Sequence, residues 1–219
     1  MKKKSKKQLW VGTGLLASFA LWTVLVSFVD VQAIGPLQSS VGFARLNGFV
    51  HSLTGVHMPL YTITDWLGLV PFFVALLFAV LGLAQWVKRN SLLKVDADIL
   101  ILGLFDIAVI AVYMLFETVV INKRPVLIDG CLEASYPSST TVLVLCVMPT
   151  AMMQLYTRIR KGLFRRCVML AFATFTAFMV IGRLVSGVHW VTDIIGGVLF
   201  SAGLTTIYHA VTALYRKEQ

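Results

Sequence analysis

Charged residues are scarce in this chain of 219 residues, where they make up 13% of the sequence and 10 of them are acidic. A soluble domain carries roughly 25% charged residues. Hydrophobic residues account for 58%, and the mean hydropathy is +0.84. This composition excludes a soluble globular domain, a disordered segment and a coiled coil. It indicates an integral membrane protein.

Cysteine is also scarce, and the three cysteines are too scattered for a disulfide framework. The net charge of +9 would suggest nucleic acid in a soluble protein. Here no polar domain could carry such a site, so we expect no nucleic-acid partner. The sequence shows neither a glycine-rich nucleotide loop nor a cluster of metal ligands, and we expect no cofactor and no metal.

Long apolar runs make up most of the sequence instead. A membrane-spanning helix needs about 20 apolar residues, and six runs approach that length, at 9–31, 65–87, 97–121, 138–156, 167–186 and 190–214. The first run is longer than the roughly 7–15 apolar residues of a signal peptide, which favours a retained helix. The sequence predicts an all-α, multi-pass bundle of six transmembrane helices in one membrane domain, 1–219, with an outer amphipathic segment at 34–64.

The basic residues predict the orientation of this bundle. All but four of the 19 Lys and Arg residues lie in the N-terminal tail, at the C-terminus or in the connections at 88–96 and 157–166. Lys and Arg concentrate on the cytoplasmic side of membrane proteins. We therefore expect a cell-membrane protein with both termini cytoplasmic. The four exceptions, predicted on the outer side, are Arg45, Lys123, Arg124 and Arg183.

Polar residues at this outer side form a candidate oxyanion site. Arg124 and Arg183 each offer a guanidinium group that can hold phosphate oxygens through paired hydrogen bonds. Ser138 opens a predicted helix, whose first backbone N–H groups attract anions. His189 and Asp193 are four residues apart and share a helix face. An Asp that accepts from one imidazole nitrogen leaves the other free as a nucleophile.

Each of these features has an ordinary structural explanation when taken alone. An Arg at a span end is commonly a headgroup anchor, and a His–Asp pair at this spacing is commonly a local helix contact. A Pro–Ser–Ser sequence is commonly a helix cap. The site prediction depends on their falling together on one side of the membrane. Six aromatic residues near the predicted interfaces are expected as interface anchors: Trp10, Trp66, Trp86, Trp190, Tyr61 and Tyr136.

The spacing from Arg183 to Asp193 resembles the third motif of the type 2 phosphatidic acid phosphatase (PAP2) family. That motif reads Ser-Arg-x5-His-x3-Asp and is matched by Gly182-Arg183, His189 and Asp193, with the serine replaced. The resemblance covers residues 97–210, the last four predicted spans. It implies a six-helix fold with an outward-facing site and a phosphohistidine intermediate, formed when His189 attacks phosphorus and then hydrolysed by water. Asp193 would orient His189.

The other two family motifs are matched in part. Lys-x6-Arg-Pro is matched by Arg124-Pro125, with Glu117 at the lysine position, and Pro-Ser-Gly-His is matched only by Pro137-Ser138. The resemblance implies that Arg124, Arg183 and Ser138 bind the phosphate. At the glycine position stands Ser139, whose backbone N–H can still contact phosphate.

The second motif is degenerate at its histidine, which protonates the leaving alkoxide in the family and is Thr140 here. General acid catalysis is worth about 10²–10⁴-fold, and a threonine hydroxyl does not titrate near neutral pH. Three explanations stay open. The substrate is a diphosphate whose leaving group needs little protonation; another residue supplies the proton, with Glu117, His51 and His57 as candidates beside Thr140; or the protein binds a phosphorylated lipid without turnover.

The predicted function is an integral membrane lipid phosphatase that acts on a lipid phosphate or diphosphate at the outer face, among membrane lipids. The alternatives are a silent PAP2-like protein that binds or moves anionic lipids, a phosphotransferase, and a small transporter unrelated to phosphate. The substrate classes that the resemblance suggests are phosphatidic acid, phosphatidylglycerol phosphate and undecaprenyl diphosphate.

Overall fold

The structure, a computed structural model, describes residues 2–215, except for the side chains of Lys2 and Glu117. The described chain is helical, and the β-type pairing between its described residues is limited to isolated bridges. Its α-helices are α1 (Lys2–Phe28), α2 (Ala44–Thr54), α3 (Met58–Leu67), α4 (Leu69–Arg89), α5 (Ala97–Thr118), α6 (Ser139–Arg158), α7 (Leu163–Val185) and α8 (Val191–Tyr215). The all-α prediction is confirmed.

Six helical segments within the described residues are long and apolar enough to cross a membrane: α1, α3 with α4, α5, α6, α7 and α8. The prediction of six spans is confirmed. The second begins earlier than expected, at Met58 rather than residue 65. Pro59 lies in the first turn of α3, where its fixed φ favours helix initiation. Gly68 keeps helical angles (φ −59°, ψ −18°) and lets α3 run on into α4.

Helices α6 and α8 form the centre of the bundle. In their most apolar stretches 56% and 44% of the residues are buried, against 17–22% in the other four spans. Apolar and aromatic side chains from α1, α5, α6 and α8 pack into one core there, including Phe19, Val109, Val142 and Phe200. The outer helices leave their remaining faces apolar and exposed, as expected of surfaces that meet lipid.

Two local features let the helices approach closely. Gly12 on α1 and Gly203 on α8 face each other, and a Cβ on either would lie 3.0–3.2 Å from the carbonyl oxygen of the other. Small residues at such crossings are typical of membrane helices. Within α6, Pro149 has no N–H for the carbonyl of Leu145, and the Thr205 hydroxyl of α8 donates to that carbonyl at 3.2 Å.

The two ends of the bundle differ in character. One end, the loop-rich end, holds the connections 29–57, 119–138 and 186–190, which are tied together by hydrogen bonds such as Asn47 Nδ2 to Thr192 Oγ1 (3.0 Å). The opposite, basic end holds the start of α1 and the connections 90–96 and 159–162. There Arg89 pairs with Asp96 at 2.8 Å and Arg158 with Asp98 at 3.0 Å.

Candidate active site

The candidate site lies at the loop-rich end, where α7 ends, α8 begins and the 119–138 connection meets the start of α6. The turn between α7 and α8 is held at Gly187 (φ +70°) against Gly55, the residue that follows α2, whose carbonyl oxygen would lie 1.9 Å from a Cβ there. Only glycine fits both the left-handed backbone and this close approach. The turn places Arg183 and His189 side by side at the bundle interior.

His189 is 3% exposed and is held at both ring nitrogens. Its Nε2 lies 3.4 Å from Nη2 of Arg183, and its Nδ1 lies 3.2 Å from the carbonyl oxygen of Ser135. A guanidinium group can only donate and a carbonyl can only accept. These partners therefore favour the tautomer with the proton on Nδ1 and the lone pair on Nε2.

Burial, followed by the positive charges of Arg124 and Arg183, holds the pKa of His189 well below its usual value of 6.5. The imidazole is thus neutral at neutral pH. A neutral imidazole with a lone pair on Nε2 is the form that can attack phosphorus.

Asp193 is fully buried beside His189, but the two side chains do not form a direct hydrogen bond. The predicted pair on one helix face is separated by 3.9 Å between Nδ1 and Oδ2. Instead, Asp193 Oδ2 accepts from the Ser135 hydroxyl (2.5 Å) and from the backbone N–H of Trp190 (2.9 Å). The Ser135 oxygen is also 3.1 Å from His189 Nδ1. Ser135 therefore bridges the predicted pair.

Both arginines lie over the ring of Tyr61. The guanidinium carbons of Arg183 and Arg124 are 5.1 and 5.8 Å from the centre of its ring, within cation–π range. Arg183 is 1% exposed and pairs with Asp65 (Nη1–Oδ1, 3.4 Å). Arg124 pairs with Glu133 (Nε–Oε2, 3.1 Å). Each of the two arginines predicted to bind phosphate therefore has a carboxylate partner.

A cavity of about 540 Å³ opens beside these arginines. Its walls come from α3, α4, α5, the start of α6, the end of α7 and the 119–138 connection, and they include both arginines, both carboxylates and Tyr61. Arg183 lines this cavity, and its Nη2 lies 3.4 Å from Nε2 of His189, which is not among the lining residues. The cavity is large enough for a phosphorylated headgroup and is lined at its α4 side by Leu69 and Phe72.

The start of α6 contributes two of its three predicted residues to this cavity. Ser139 and Thr140 line it. Ser138 is fully buried, donates its backbone N–H to the Asp193 carbonyl (3.2 Å), and accepts from the Thr141 hydroxyl (3.0 Å). Its neighbours face the cavity, whereas Ser138 itself joins α6 to α8.

The candidate proton donors lie at different places in the structure. Thr140 lies in the cavity wall. The backbone of Glu117 belongs to the last turn of α5, and its side chain lies outside the described part of the chain. His51 contacts the carbonyl oxygen of Gly187 (3.2 Å), and His57 bonds within its own turn to Thr54 (2.9 Å); neither lines the cavity.

Four residues at the site were not predicted as site residues from the sequence: Tyr61, Asp65, Glu133 and Ser135. Tyr61 was expected as an interface anchor, and it contacts the arginines instead. The anchor prediction is also wrong for Tyr136 and Trp190, which are buried. Acidic residues at the predicted outer side were the available signal for Asp65 and Glu133, because two buried arginines need nearby negative charge. Ser135 carried no such signal.

Comparisons with known proteins found a matching family and a similar fold. The sequence model of the PAP2 superfamily matches residues 15–216, which extends the resemblance beyond the last four spans. The solved "first transmembrane PAP2 type phosphatidylglycerolphosphate phosphatase from Bacillus subtilis" is similar in fold, with a TM-score of 0.57, 17% identity, and coverage of 94% of this chain and 96% of that one. A comparison with curated proteins returned no match. Because the family match spans nearly the whole sequence, the chain belongs to the PAP2 superfamily.

Proposed function

We propose that this protein is a membrane lipid phosphatase that hydrolyses a lipid phosphate or diphosphate through a phosphohistidine on His189. The observation that carries the proposal is the buried, neutral imidazole whose Nε2 faces Arg183, with a second arginine and a headgroup-sized cavity beside it. Family membership supports the same kind of chemistry.

In the proposed first step the substrate phosphate binds Arg183 and Arg124 and displaces their carboxylate partners. Two guanidinium groups stabilise the charge on the phosphoryl oxygens during transfer. Nε2 of His189 then forms a bond to phosphorus as the bond from phosphorus to the leaving oxygen breaks. The leaving oxygen keeps the electron pair, and Nδ1 keeps its proton. Asp193 stabilises the positive charge on the phosphorylated ring.

In the second step water attacks the phosphohistidine. A new P–O bond forms, the N–P bond breaks, and the electron pair returns to Nε2. One proton of the water remains on the inorganic phosphate and the other passes to solvent. His189 ends in the neutral form in which it began, with its proton on Nδ1.

The cavity favours a diphosphate substrate. Among the described residues that line it, no histidine is present, and the carboxylates of Asp65 and Glu133 are each paired with an arginine. The other acidic groups are the phenols of Tyr61 and Tyr113, and a phenol ordinarily titrates only near about pH 10. An alkoxide leaving group needs a proton. When the terminal phosphate of a lipid diphosphate is removed, the leaving group is the lipid monophosphate, which is already a stable anion. A site with Thr140 in place of the usual histidine is therefore better suited to cleave a diphosphate.

A second candidate is binding of anionic lipid without turnover. The ion pairs of Arg183 with Asp65 and of Arg124 with Glu133 favour it, because a substrate phosphate must compete with both carboxylates. In this case His189 would have no part in function, and lipid binding would depend on the arginines alone.

Phosphate release by the purified protein in detergent tests the proposal. The panel holds phosphatidic acid, phosphatidylglycerol phosphate, undecaprenyl phosphate and undecaprenyl diphosphate. We expect release from the diphosphate, its loss in His189→Ala, and no loss in the matched control His57→Ala, whose side chain bonds only within its own turn. No release from any lipid, with lipid binding lost in Arg183→Ala but kept in His189→Ala, would establish the second candidate.

We also propose that the loop-rich end faces the outside of the cell. The basic end collects the Lys and Arg of α1, of the 90–96 and 159–162 connections and of their flanks, as cytoplasmic ends do. Cys131 is exposed at the loop-rich end. A membrane-impermeant thiol reagent should label intact cells that carry the native chain and should not label cells that carry Cys131→Ser. Cys167 is also exposed, near the basic end, so labelling of Cys131→Ser in intact cells would reverse the orientation.

A further inference from the structure

The side chains of His189 and Asp193 are separated by more than the length of a direct hydrogen bond. Their nearest nitrogen and oxygen are 3.9 Å apart, beyond the hydrogen-bond range of about 2.7–3.2 Å. Both side chains are buried, so water does not surround them. An aspartate that orients a catalytic imidazole must reach it through some other group.

Ser135 occupies this gap. Its hydroxyl has one proton, and the carboxylate Oδ2 of Asp193 at 2.5 Å is an acceptor, so the hydroxyl donates there. The lone pairs of the same oxygen then face Nδ1 of His189 at 3.1 Å. The carbonyl oxygen of Ser135 lies 3.2 Å from the same nitrogen. One residue thus offers the imidazole proton two acceptors and transmits the charge of the aspartate.

The backbone around Ser135 is fixed in place. Its N–H donates to the carbonyl of Asn122 (2.9 Å), and the carbonyl of Glu133, two residues earlier, accepts from the N–H of Arg124 (3.1 Å). The two sides of the 119–138 connection therefore pair, and the next residue, Tyr136, is buried against Gly196 of α8. Ser135 is 3% exposed and cannot swing into the cavity without breaking these contacts.

We propose that Ser135 is the positioning residue through which Asp193 acts on His189. It holds the Nδ1–H tautomer, so that the Nε2 lone pair points toward Arg183 and the substrate phosphorus. It also passes the negative charge of Asp193 to the ring when phosphorylation makes the ring positive. The inference rests on the proposed phosphohistidine function.

Steady-state kinetics on the most active lipid of the panel test the role of Ser135. We expect Ser135→Ala to lower kcat by about 10- to 100-fold, by analogy with the loss seen when a hydrogen-bond partner of a metal-bound histidine is removed. KM should not change, because Ser135 does not line the substrate cavity. Ser135→Thr keeps the hydroxyl and should recover most of the rate. The control Ser52→Ala removes an exposed serine hydroxyl of α2 and should not alter kcat.

A double-mutant cycle with Asp193→Asn separates positioning from a merely structural role. If Asp193 acts through Ser135, the double variant should lose no more rate than the more damaging single variant. If the two residues act independently, the losses should multiply. Ser135→Cys keeps the side-chain size but has only a weak donor, and it replaces Ser135→Ala in the cycle if the alanine variant does not fold.

The outcomes distinguish this inference from the proposed function. If the native protein is active, three results would each overturn the role of Ser135 and leave the phosphatase function intact. They are an unchanged kcat in Ser135→Ala, losses that multiply in the double-mutant cycle, and no recovery of rate in folded Ser135→Thr. A native protein that releases no phosphate from any lipid would overturn the proposed function and this inference with it.

Discussion

Restoring a histidine at position 140 is the most direct test of how this site treats its leaving group. Thr140 lies in the second position of α6 and in the cavity wall, together with Asp65 and Arg183. Its methyl group faces Gly68, where a Cβ would lie 3.6 Å away, so there is no large side chain opposite. A cavity of about 540 Å³ has room for an imidazole. The nearby carboxylate of Asp65 would favour the protonated ring.

The size of the effect follows from the chemistry that is missing. General acid catalysis contributes about 10²–10⁴-fold, which is about 2.7–5.4 kcal/mol of transition-state stabilisation. Hydrolysis of a lipid monophosphate, whose leaving group is an alkoxide, should gain this amount in Thr140→His. Hydrolysis of a lipid diphosphate, whose leaving group is the stable anion of the lipid monophosphate, should gain little. The ratio of kcat/KM for phosphatidic acid to that for undecaprenyl diphosphate should therefore rise by about 10²–10⁴-fold.

The assay is phosphate release from both lipids by the native protein and by Thr140→His, with Thr140→Gln as a control of similar size that cannot supply the proton. Only the histidine variant should shift the ratio. Equal gains on both lipids, or no gain on phosphatidic acid, would refute the argument that a missing acid sets the substrate preference.

Three further predictions concern stability in detergent. Because the pKa of His189 lies well below 6.5 in the folded protein, the unfolded chain binds an extra proton as the pH falls below 6.5. The free energy of unfolding should therefore fall by about 1.4 kcal/mol per pH unit, and a slope that persists in His189→Gln would contradict this. Gly203→Val should cost about 1–3 kcal/mol, because a Cβ there lies 2.8 Å from Leu16; Gly14→Val, which has open space, is the control in thermal melting. Tyr136→Phe should cost about 1 kcal/mol through its 2.8 Å hydrogen bond to the Thr23 hydroxyl, and an equal cost in a Thr23→Val background would show that this bond is not the cause.

The membrane fold is predictable because it depends on a property of single segments. A helix must satisfy its own backbone hydrogen bonds in lipid, so an apolar run of sufficient length is enough to predict a span. The boundary at residue 65 is wrong because apolar content does not report helix initiation. Pro59 and the helical angles of Gly68 start the second span seven residues earlier, at Met58.

The candidate site, too, is predictable only where its residues lie close together in the sequence. The spacing of Arg183, His189 and Asp193 is local, so the sequence could place them together where two predicted helices meet. The contacts of Ser135 with Asp193 and of Asp65 with Arg183 join residues 58 and 118 positions apart. No periodicity or local motif connects positions at such separations.

The sequence by itself determined that this protein resides in a membrane, that six helices span it, and that two arginines, a histidine and an aspartate collect at one end. Apolar length, charge asymmetry and helical spacing act within short segments, and each can be read along the chain. Only the tertiary structure decided that carboxylates neutralise the arginines and that a serine stands between His189 and Asp193. The physical reason is that hydrogen bonds and ion pairs are effective over about 3–4 Å, and the packing of distant helices sets which groups come that close.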